Sequence, residues 1–183
     1  MGNSTGEPKA EIIGVLNKTI DLWLLELKYY TLDQLRIKPS STDWSMGQVY
    51  MHLVDAANYH IEQVKACLSS DQNKLENASP EANVMFLNDS FPDAIIKGPR
   101  SNDFTPQPET KQQIIDGLVE IRNELDGPVA SMFSTRRFSG KTKHPGLNYF
   151  DAKEWLQFSD MHFRHHLRQK KRIDEFLKVS VKR

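Results

Sequence analysis

Apolar residues recur every three or four positions in four separate stretches of the 183-residue chain. This spacing places them along one face of an α-helix, whereas no run of alternating apolar and polar residues is long enough to predict a strand. The pattern predicts long helices at about 8–30, 45–68 and 109–126, and a fourth that includes 155–173. Four amphipathic helices in one chain are typical of an all-α, four-helix bundle, because each helix buries its apolar face against the others.

Short sequence signals predict where two of these helices begin and where a third is interrupted. Ser45 and Gln48 have the spacing of a capping box for the second helix, and Asp151 with Glu154 forms the equivalent pair for the fourth. Gly127-Pro128 should break or kink the third helix, because proline lacks the backbone donor and crowds the preceding turn.

The segment between the second and third helices, residues 69–107, is long and irregular. Prolines interrupt it, and only 81–88 has the composition of a short helix. A connection of this length inside a compact domain favours a crossover that lets two successive long helices run parallel. Residues 31–43 and 134–150 have the composition of a turn and a loop. The expected fold is therefore a four-helix bundle with a long crossover between helices two and three.

Composition and charge narrow the classes of partner. Hydrophobic residues make up 38% and charged residues 26% of the chain, which suits one soluble domain over 1–183 with its bundle at about 8–180. Lys+Arg and Asp+Glu both number 24, and the resulting neutrality argues against a nucleic-acid or acidic-membrane partner. No apolar stretch approaches the roughly 18–20 residues of a membrane span. The single cysteine, Cys67, permits no internal disulfide, so we expect a cytoplasmic protein.

One local excess of positive charge lies late in the fourth helix, where it complements the helix dipole. We expect these side chains to form a solvated face, with a docking patch for an anionic thiol or substrate as the alternative. The residues are Arg164, Arg168, Lys170, Lys171 and Arg172.

The fourth helix also concentrates the chain's candidate chemistry. Three of the six histidines, His162, His165 and His166, fall within five consecutive residues. On a helical wheel His162 and His166 lie inside the apolar face, whereas His165 lies on its edge. Two imidazoles one turn apart that point into a bundle core can bind one metal ion if another helix supplies a third ligand.

The second helix offers two candidates for the third ligand, His52 and His60. They are about 12 Å apart along the helix axis, so at most one of them can join the site. The wheel places His60 nearer the middle of the apolar face and His52 at its border, which leaves the choice open. A lone histidine on an apolar face is more often a hydrogen-bonded core residue than a metal ligand.

Two motifs resemble those of a known family. Residues 44–53, Trp-Ser-Met-Gly-Gln-Val-Tyr-Met-His-Leu, resemble the opening of the second helix in the DinB-like (YfiT-type) metalloproteins, and residues 144–173 resemble their closing helix. The motifs occur in the family's order and at its separation. The resemblance implies the family's four-helix bundle, with His52, His162 and His166 as the metal ligands. It thereby favours His52 over His60.

Such a site implies a small-molecule enzyme. Three imidazoles leave coordination positions open for water or substrate, and they suit zinc, nickel, iron(II) or copper. The resemblance implies either a metal-dependent hydrolase or an S-transferase that uses a low-molecular-weight thiol, and family analogy also allows a homodimer. The alternative is a metal-binding or structural bundle without turnover, such as a dimeric scaffold or a sensor. A closed site with His60 or His165 as a fourth ligand would favour that alternative.

The sequence provides no convincing second catalytic group. Asp55 and Glu154 are within reach of the expected site by helix geometry, but we expect a solvated side chain for Asp55 and a capping role for Glu154. His144 could line the mouth of the site, although a role in the loop turn is the simpler expectation.

Overall fold

The fold is a bundle of four long helices with shorter elements between them. A computed structural model describes residues 7–93, 104–135 and 137–178, with the side chains of residues 7–10 excepted. The all-α expectation is confirmed. In chain order the helices are α1 (Glu7–Leu27), α2 (Leu32–Arg36), α3 (Met46–Ser69), α4 (Pro80–Asn88), α5 (Lys111–Glu124), α6 (Ala130–Ser134) and α7 (Ala152–Leu177).

The bundle helices are α1, α3, α5 with its continuation into α6, and α7. Both predicted capping boxes are present, since Ser45 accepts from Gln48 at the start of α3 and Asp151 accepts from Glu154 at the start of α7. The short helix α2, with its own capping box at Thr31, occupies part of the segment expected to be a turn. Five residues are too few for a helical pattern to be read from sequence.

The long crossover makes α3 and α5 run parallel, as predicted. Gly47, near the start of α3, packs against Pro108, which lies just before α5. Near the other ends of the two helices Lys65 forms an ion pair of 2.6 Å with Glu124. The N-terminal ends of α3 and α5 therefore lie together, as do their C-terminal ends, so the two helices run in the same direction. Residues 94–103 of the predicted crossover lie outside the described residues.

The third bundle helix passes through Gly127-Pro128 instead of breaking there. A π-helical turn, Leu125–Val129, joins α5 to α6, and both Leu125 and Val129 are fully buried. A π turn widens the helix locally, which accommodates a proline that cannot donate a hydrogen bond to the preceding turn. Of the two predicted outcomes, a break is wrong, because burial on both sides of Pro128 keeps the helix in the bundle. The π turn is a local distortion at the position where a kink was the other expectation.

A small hairpin precedes α7, although no strand was expected. Strands β1 (Thr142–His144) and β2 (Asn148–Phe150) pair antiparallel, and Gly146 adopts a left-handed φ of 99° in the turn between them. Strands of three residues are too short to show alternation in sequence. The hairpin buries Phe150 against Trp155, with ring centroids 5.1 Å apart. It therefore anchors the start of α7.

Three aromatic side chains form the centre of the bundle, one from each of α1, α3 and α7. Trp23 lies edge-on to Tyr50 with ring centroids 5.1 Å apart and to Phe163 with centroids 6.5 Å apart. All three are fully buried, and the Tyr50 hydroxyl donates to the Trp23 carbonyl at 2.9 Å. The contacts hold the three helices in one register, because aromatic rings combine large buried area with directional packing.

A buried ionic network joins α7 to α1 and includes Lys170, which was expected on a solvated face. Lys171 and Arg172 of that face are exposed, as expected. Lys170 is only 5% exposed, and its ammonium lies 2.8 Å from Glu26 and 2.6 Å from Asp174. Asp174 also accepts a hydrogen bond from the buried Tyr30 hydroxyl. A buried cation requires such partners, because an unpaired charge in the interior is costly.

No helix in the described part of the chain is long and apolar enough to cross a membrane.

The close approach at the start of α3 can be tested with two glycines. A Cβ at Gly47 would lie 2.6 Å from Cδ of Pro108 and 2.7 Å from the Leu35 carbonyl oxygen. We expect Gly47→Ala to lower the free energy of unfolding by about 1–3 kcal/mol. Gly14→Ala meets nothing within 4 Å, and should raise that free energy by about 0.5–1 kcal/mol. Urea denaturation of both variants measures the difference, and a Gly47→Ala protein as stable as Gly14→Ala would contradict the packing.

Candidate metal centre

Three histidines converge between α3 and α7. The Nε2 atom of His162 lies 3.2 Å from Nε2 of His52 and 3.1 Å from Nε2 of His166. The ligand atoms of all three side chains lie within 4.8 Å of one another. His162 and His166 are one turn apart on α7, and α3 packs along that helix with His52 facing the pair. The residues assigned by resemblance are thus brought together.

Both nitrogen–nitrogen separations measured from His162 fit imidazoles bound to a single metal ion. With metal–nitrogen bonds of about 2.0–2.1 Å, two imidazoles on one ion have nitrogens about 2.8–3.4 Å apart for bond angles between octahedral and tetrahedral. The two measured separations, 3.2 Å and 3.1 Å, fall in that range. Without a metal, two neutral imidazole nitrogens at this distance can form only one hydrogen bond between them. Coordination of one ion would use the lone pairs of all three rings, so the arrangement suits a metal site.

Burial keeps the three imidazoles neutral, as metal ligands must be. Desolvation lowers the pKa of His52 to about 4 and that of His166 to about 3. The pKa of His162 is held well below its usual value by burial first and then by the neighbouring imidazoles. Each ring therefore presents a free lone pair near neutral pH.

Gln169 orients one of the three rings. Its Oε1 atom lies 2.8 Å from Nδ1 of His166, so Nδ1 donates the hydrogen bond and Nε2 carries the lone pair toward the other two histidines. Partners of this kind select the tautomer and hold the ring in its ligating orientation. Both the distances between the nitrogens and the hydrogen bond from His166 to Gln169 therefore favour metal binding.

Aromatic side chains border the three histidines. The Trp44 ring lies 4.9 Å from the His52 ring and is stacked at 6.5 Å, with an interplanar angle of 11°, on that of His166. On another side Phe91 lies 6.1 Å from His162 and 5.0 Å from Phe158. These walls leave few polar neighbours, which strengthens electrostatic interactions at the site.

The segment that carries Phe91 is fastened to α7. Arg164 donates to the Asp89 carbonyl and pairs with its carboxylate, both at 2.8 Å. Arg168 forms a further ion pair with Asp93. These arginines, expected to be solvated or to dock an anion, instead hold the crossover segment beside the histidines.

The other three histidines lie near the triad without joining it. His60 is buried with its ring 5.9 Å from that of His162, and His144 packs against Phe158 at 4.8 Å. His165 contacts the Arg168 guanidinium through Nδ1 at 2.7 Å. The helical wheel correctly placed His60 deeper in the apolar face than His52. The wheel left the choice of ligand open, and the cluster contains His52, because the border of that face is what meets the histidines of α7.

The family of the chain follows from comparison with known proteins. The family model of the DinB superfamily matches residues 16–169, which include all three histidines of the cluster. The chain belongs to the DinB superfamily. No curated protein matches it.

A solved structure shares the fold of this DinB-superfamily chain. YfiT from Bacillus subtilis is described as a probable metal-dependent hydrolase with an unusual four-helix bundle topology. The two chains are 17% identical, with a TM-score of 0.62 over 98% of this chain and 92% of that chain. At this identity the likeness shows the fold alone.

Sequence reasoning missed two contributors to the DinB-superfamily site. Trp44 was named only as the first residue of the family motif, without a role at the site, and Phe91 lies in a segment without helical pattern. Glu154 is held by its capping bond to the Asp151 amide at 2.7 Å, as expected, and Asp55 is exposed. Among the described residues no carboxylate joins the three histidine nitrogens.

The neutral histidines should make the stability of the metal-free protein depend on pH. In the unfolded chain they titrate near 6.5, whereas burial lowers the pKa to about 4 in His52 and about 3 in His166. Below 6.5 the unfolded state therefore binds more protons than the folded state. Stability from neutral burial is complete above 6.5 and falls as the pH drops toward 4.

Urea denaturation in the presence of a chelator, between about pH 7 and pH 5, measures this decline. A His52→Gln/His166→Gln variant is the control, because it removes two of the titrating groups while keeping polar side chains in place. Its loss of stability over the same interval should be smaller. An equal loss in both proteins would contradict the depressed pKa values.

Proposed function

We propose that this protein is a metal-dependent hydrolase that binds one divalent transition-metal ion through His52, His162 and His166 and acts on a small-molecule substrate. The carrying observation is that three neutral imidazoles, His166 buried and His52 and His162 partly buried, meet with separations of 3.1–3.2 Å around His162 Nε2. YfiT, which shares the fold, is described as a probable metal-dependent hydrolase, and this supports the proposal by analogy. Zinc, nickel, iron(II) and copper all suit the donor set, and metal analysis identifies the occupant.

The number of protein ligands favours a catalytic over a structural site. Structural zinc sites are closed by four protein ligands, whereas catalytic sites use three and keep a position for water or substrate. Within the described residues no fourth His, Cys, Asp or Glu completes the group. His165, one candidate for closing the site, is engaged with Arg168. The metal-binding scaffold without turnover is therefore the less supported alternative.

The chain's own residues prepare the reaction in three ways. Neutral imidazoles supply lone pairs, and Gln169 holds His166 in the ligating tautomer. Trp44 and Phe91 exclude bulk water from two sides. A divalent ion bound there would lower the pKa of a coordinated water toward neutrality and polarise a substrate carbonyl. Since no described carboxylate adjoins the triad, proton transfer would go to solvent or to the substrate's leaving group.

Thiol transfer is the second function that the family resemblance implied. The thiolate sulfur could bind the metal itself, but further anionic groups on the thiol would call for a cation beside the triad. Of the five cations expected to dock such a thiol, three already have acidic partners, namely Arg164, Arg168 and Lys170, whereas Lys171 and Arg172 are exposed. Hydrolysis of an uncharged substrate requires no such cation, which favours it over thiol transfer.

Metal binding is tested by elemental analysis of purified variants. We expect about one equivalent of metal in the wild type and none in His52→Ala or His166→Ala, because two imidazoles do not hold the ion. Gln169→Ala should weaken metal affinity about 10–100-fold by releasing the His166 ring. His165→Ala is the matched control on the same turn and should keep the full equivalent. Loss of metal from His165→Ala as complete as from His166→Ala would overturn the assigned triad.

The reaction class is tested with the metal-loaded protein. It should hydrolyse uncharged esters or amides from a panel of chromogenic substrates, and His52→Ala should lose that activity because it lacks the metal. The same preparations are assayed for conjugation of glutathione, cysteine or bacillithiol to a chromogenic electrophile. Metal-dependent conjugation without hydrolysis would replace the hydrolase by the transferase. Neither activity in the fully loaded protein would favour a scaffold.

A further inference from the structure

His60 is a buried polar residue that the triad does not use. It lies on α3 beyond His52, is 6% exposed, and has its ring 5.9 Å from that of His162. Its Nδ1 atom is fully buried without a hydrogen-bond partner. Within the described part of the chain, no hydrogen bond involves its other ring nitrogen either. The residue therefore differs from the hydrogen-bonded core histidine that its place on the apolar face predicted.

Most of the rings around His60 are apolar, and none of its neighbours bonds its Nδ1 atom. Its ring lies 5.5 Å from Trp155, 5.4 Å from Phe158 and 6.0 Å from Tyr59. A neutral imidazole has one N–H donor and one acceptor lone pair. Leaving such groups unmatched in an apolar environment costs about 1–3 kcal/mol, and a phenylalanine would avoid that cost. Native proteins have few such groups, and a functional role is one explanation for them.

We propose that His60 is a positioning residue whose imidazole forms a hydrogen bond with an uncharged hydroxyl, carbonyl or amide group of the substrate bound at the triad. The inference rests on the proposed function, because it places the reacting group of the same molecule at the metal. The walls that Phe91 and Phe158 provide suit an apolar or aromatic body between the two polar ends. The substrate class is thus a neutral ester or amide that carries a second hydrogen-bonding group.

The contrast with His144 supports this assignment. His144 packs on the same aromatic residues, at 5.5 Å from Trp155 and 4.8 Å from Phe158, and its Nδ1 atom is likewise buried without a partner. It comes from the hairpin, however, and has no ring contact with the triad among the described residues. His60 contacts both this aromatic pair and His162. Of the two imidazoles, only His60 is placed to contact a molecule held at His162.

The experiment measures binding of metal-directed probes to cobalt(II)-loaded protein by visible absorption. The probes are benzohydroxamic acid and its 2-, 3- and 4-hydroxy isomers, which share a metal-binding hydroxamate and differ in the position of one hydroxyl. We expect the wild type to bind at least one isomer about three- to tenfold more tightly than the parent, as one added hydrogen bond allows. His60→Phe should bind the parent as the wild type does and lose the preference.

Two variants sharpen the result. His60→Gln keeps a donor and an acceptor and should retain part of the preference, and it also serves if His60→Phe folds poorly. His144→Phe makes the same exchange on the other side of Trp155 and should retain the full preference. No preference for any isomer in the wild type, or an unchanged preference in both His60 variants, would overturn the proposal.

Stability and metal content separate this proposal from its alternatives. His60→Phe should raise Tm in the metal-free protein, because it removes unmatched polar atoms. A His60 that serves only as a bonded core residue predicts a lower Tm, and that outcome would count against the positioning role. Full cobalt loading without an effect of His60 on probe binding overturns only this inference. A wild type that takes up no cobalt overturns the proposed function, and this inference with it.

Discussion

The site depends above all on the contact between α3 and α7. A shift of one residue along either helix turns its side chains by about 100°, and would separate His52 from the histidines of α7. Two kinds of interaction hold the register. The capping boxes define where each helix begins, and the interlocked rings of Trp23, Tyr50 and Phe163 tie both helices to α1 in the bundle centre. The geometry at the three nitrogens is therefore a property of the whole core.

Removing several imidazoles from water lowers the stability of the folded protein, and the site requires this removal. Desolvation keeps the rings neutral, which favours metal coordination but leaves polar atoms with few partners in the free protein. Other buried polar groups of α7 have partners. Lys170 pairs with Glu26 and Asp174, and the buried Asp160 accepts a hydrogen bond from Thr19, so that both groups join α7 to α1. Native proteins commonly depart from such pairing at functional sites.

Sequence reasoning was most successful where the interaction is local. The long helices, both capping boxes and the turn-spaced pair His162 and His166 depend on neighbours within four residues, and all appear in the structure. The choice of His52 over His60 required family resemblance, because a helical wheel shows depth but not which part of a face meets which partner. The hairpin and the π turn at Pro128 escaped prediction because tertiary burial, not local pattern, stabilises them.

The distance along the chain between the site's halves affects how the protein is made. His52 and His162 are 110 residues apart, with the crossover and the third bundle helix between them. During synthesis α3 leaves the ribosome long before α7, so only one of the three ligands exists for most of that time. The metal can therefore be coordinated only after most of the chain has folded. The contact between α3 and α7 forms slowly, because closing a long loop costs conformational entropy. A bound ion would thus mark molecules whose folding is complete.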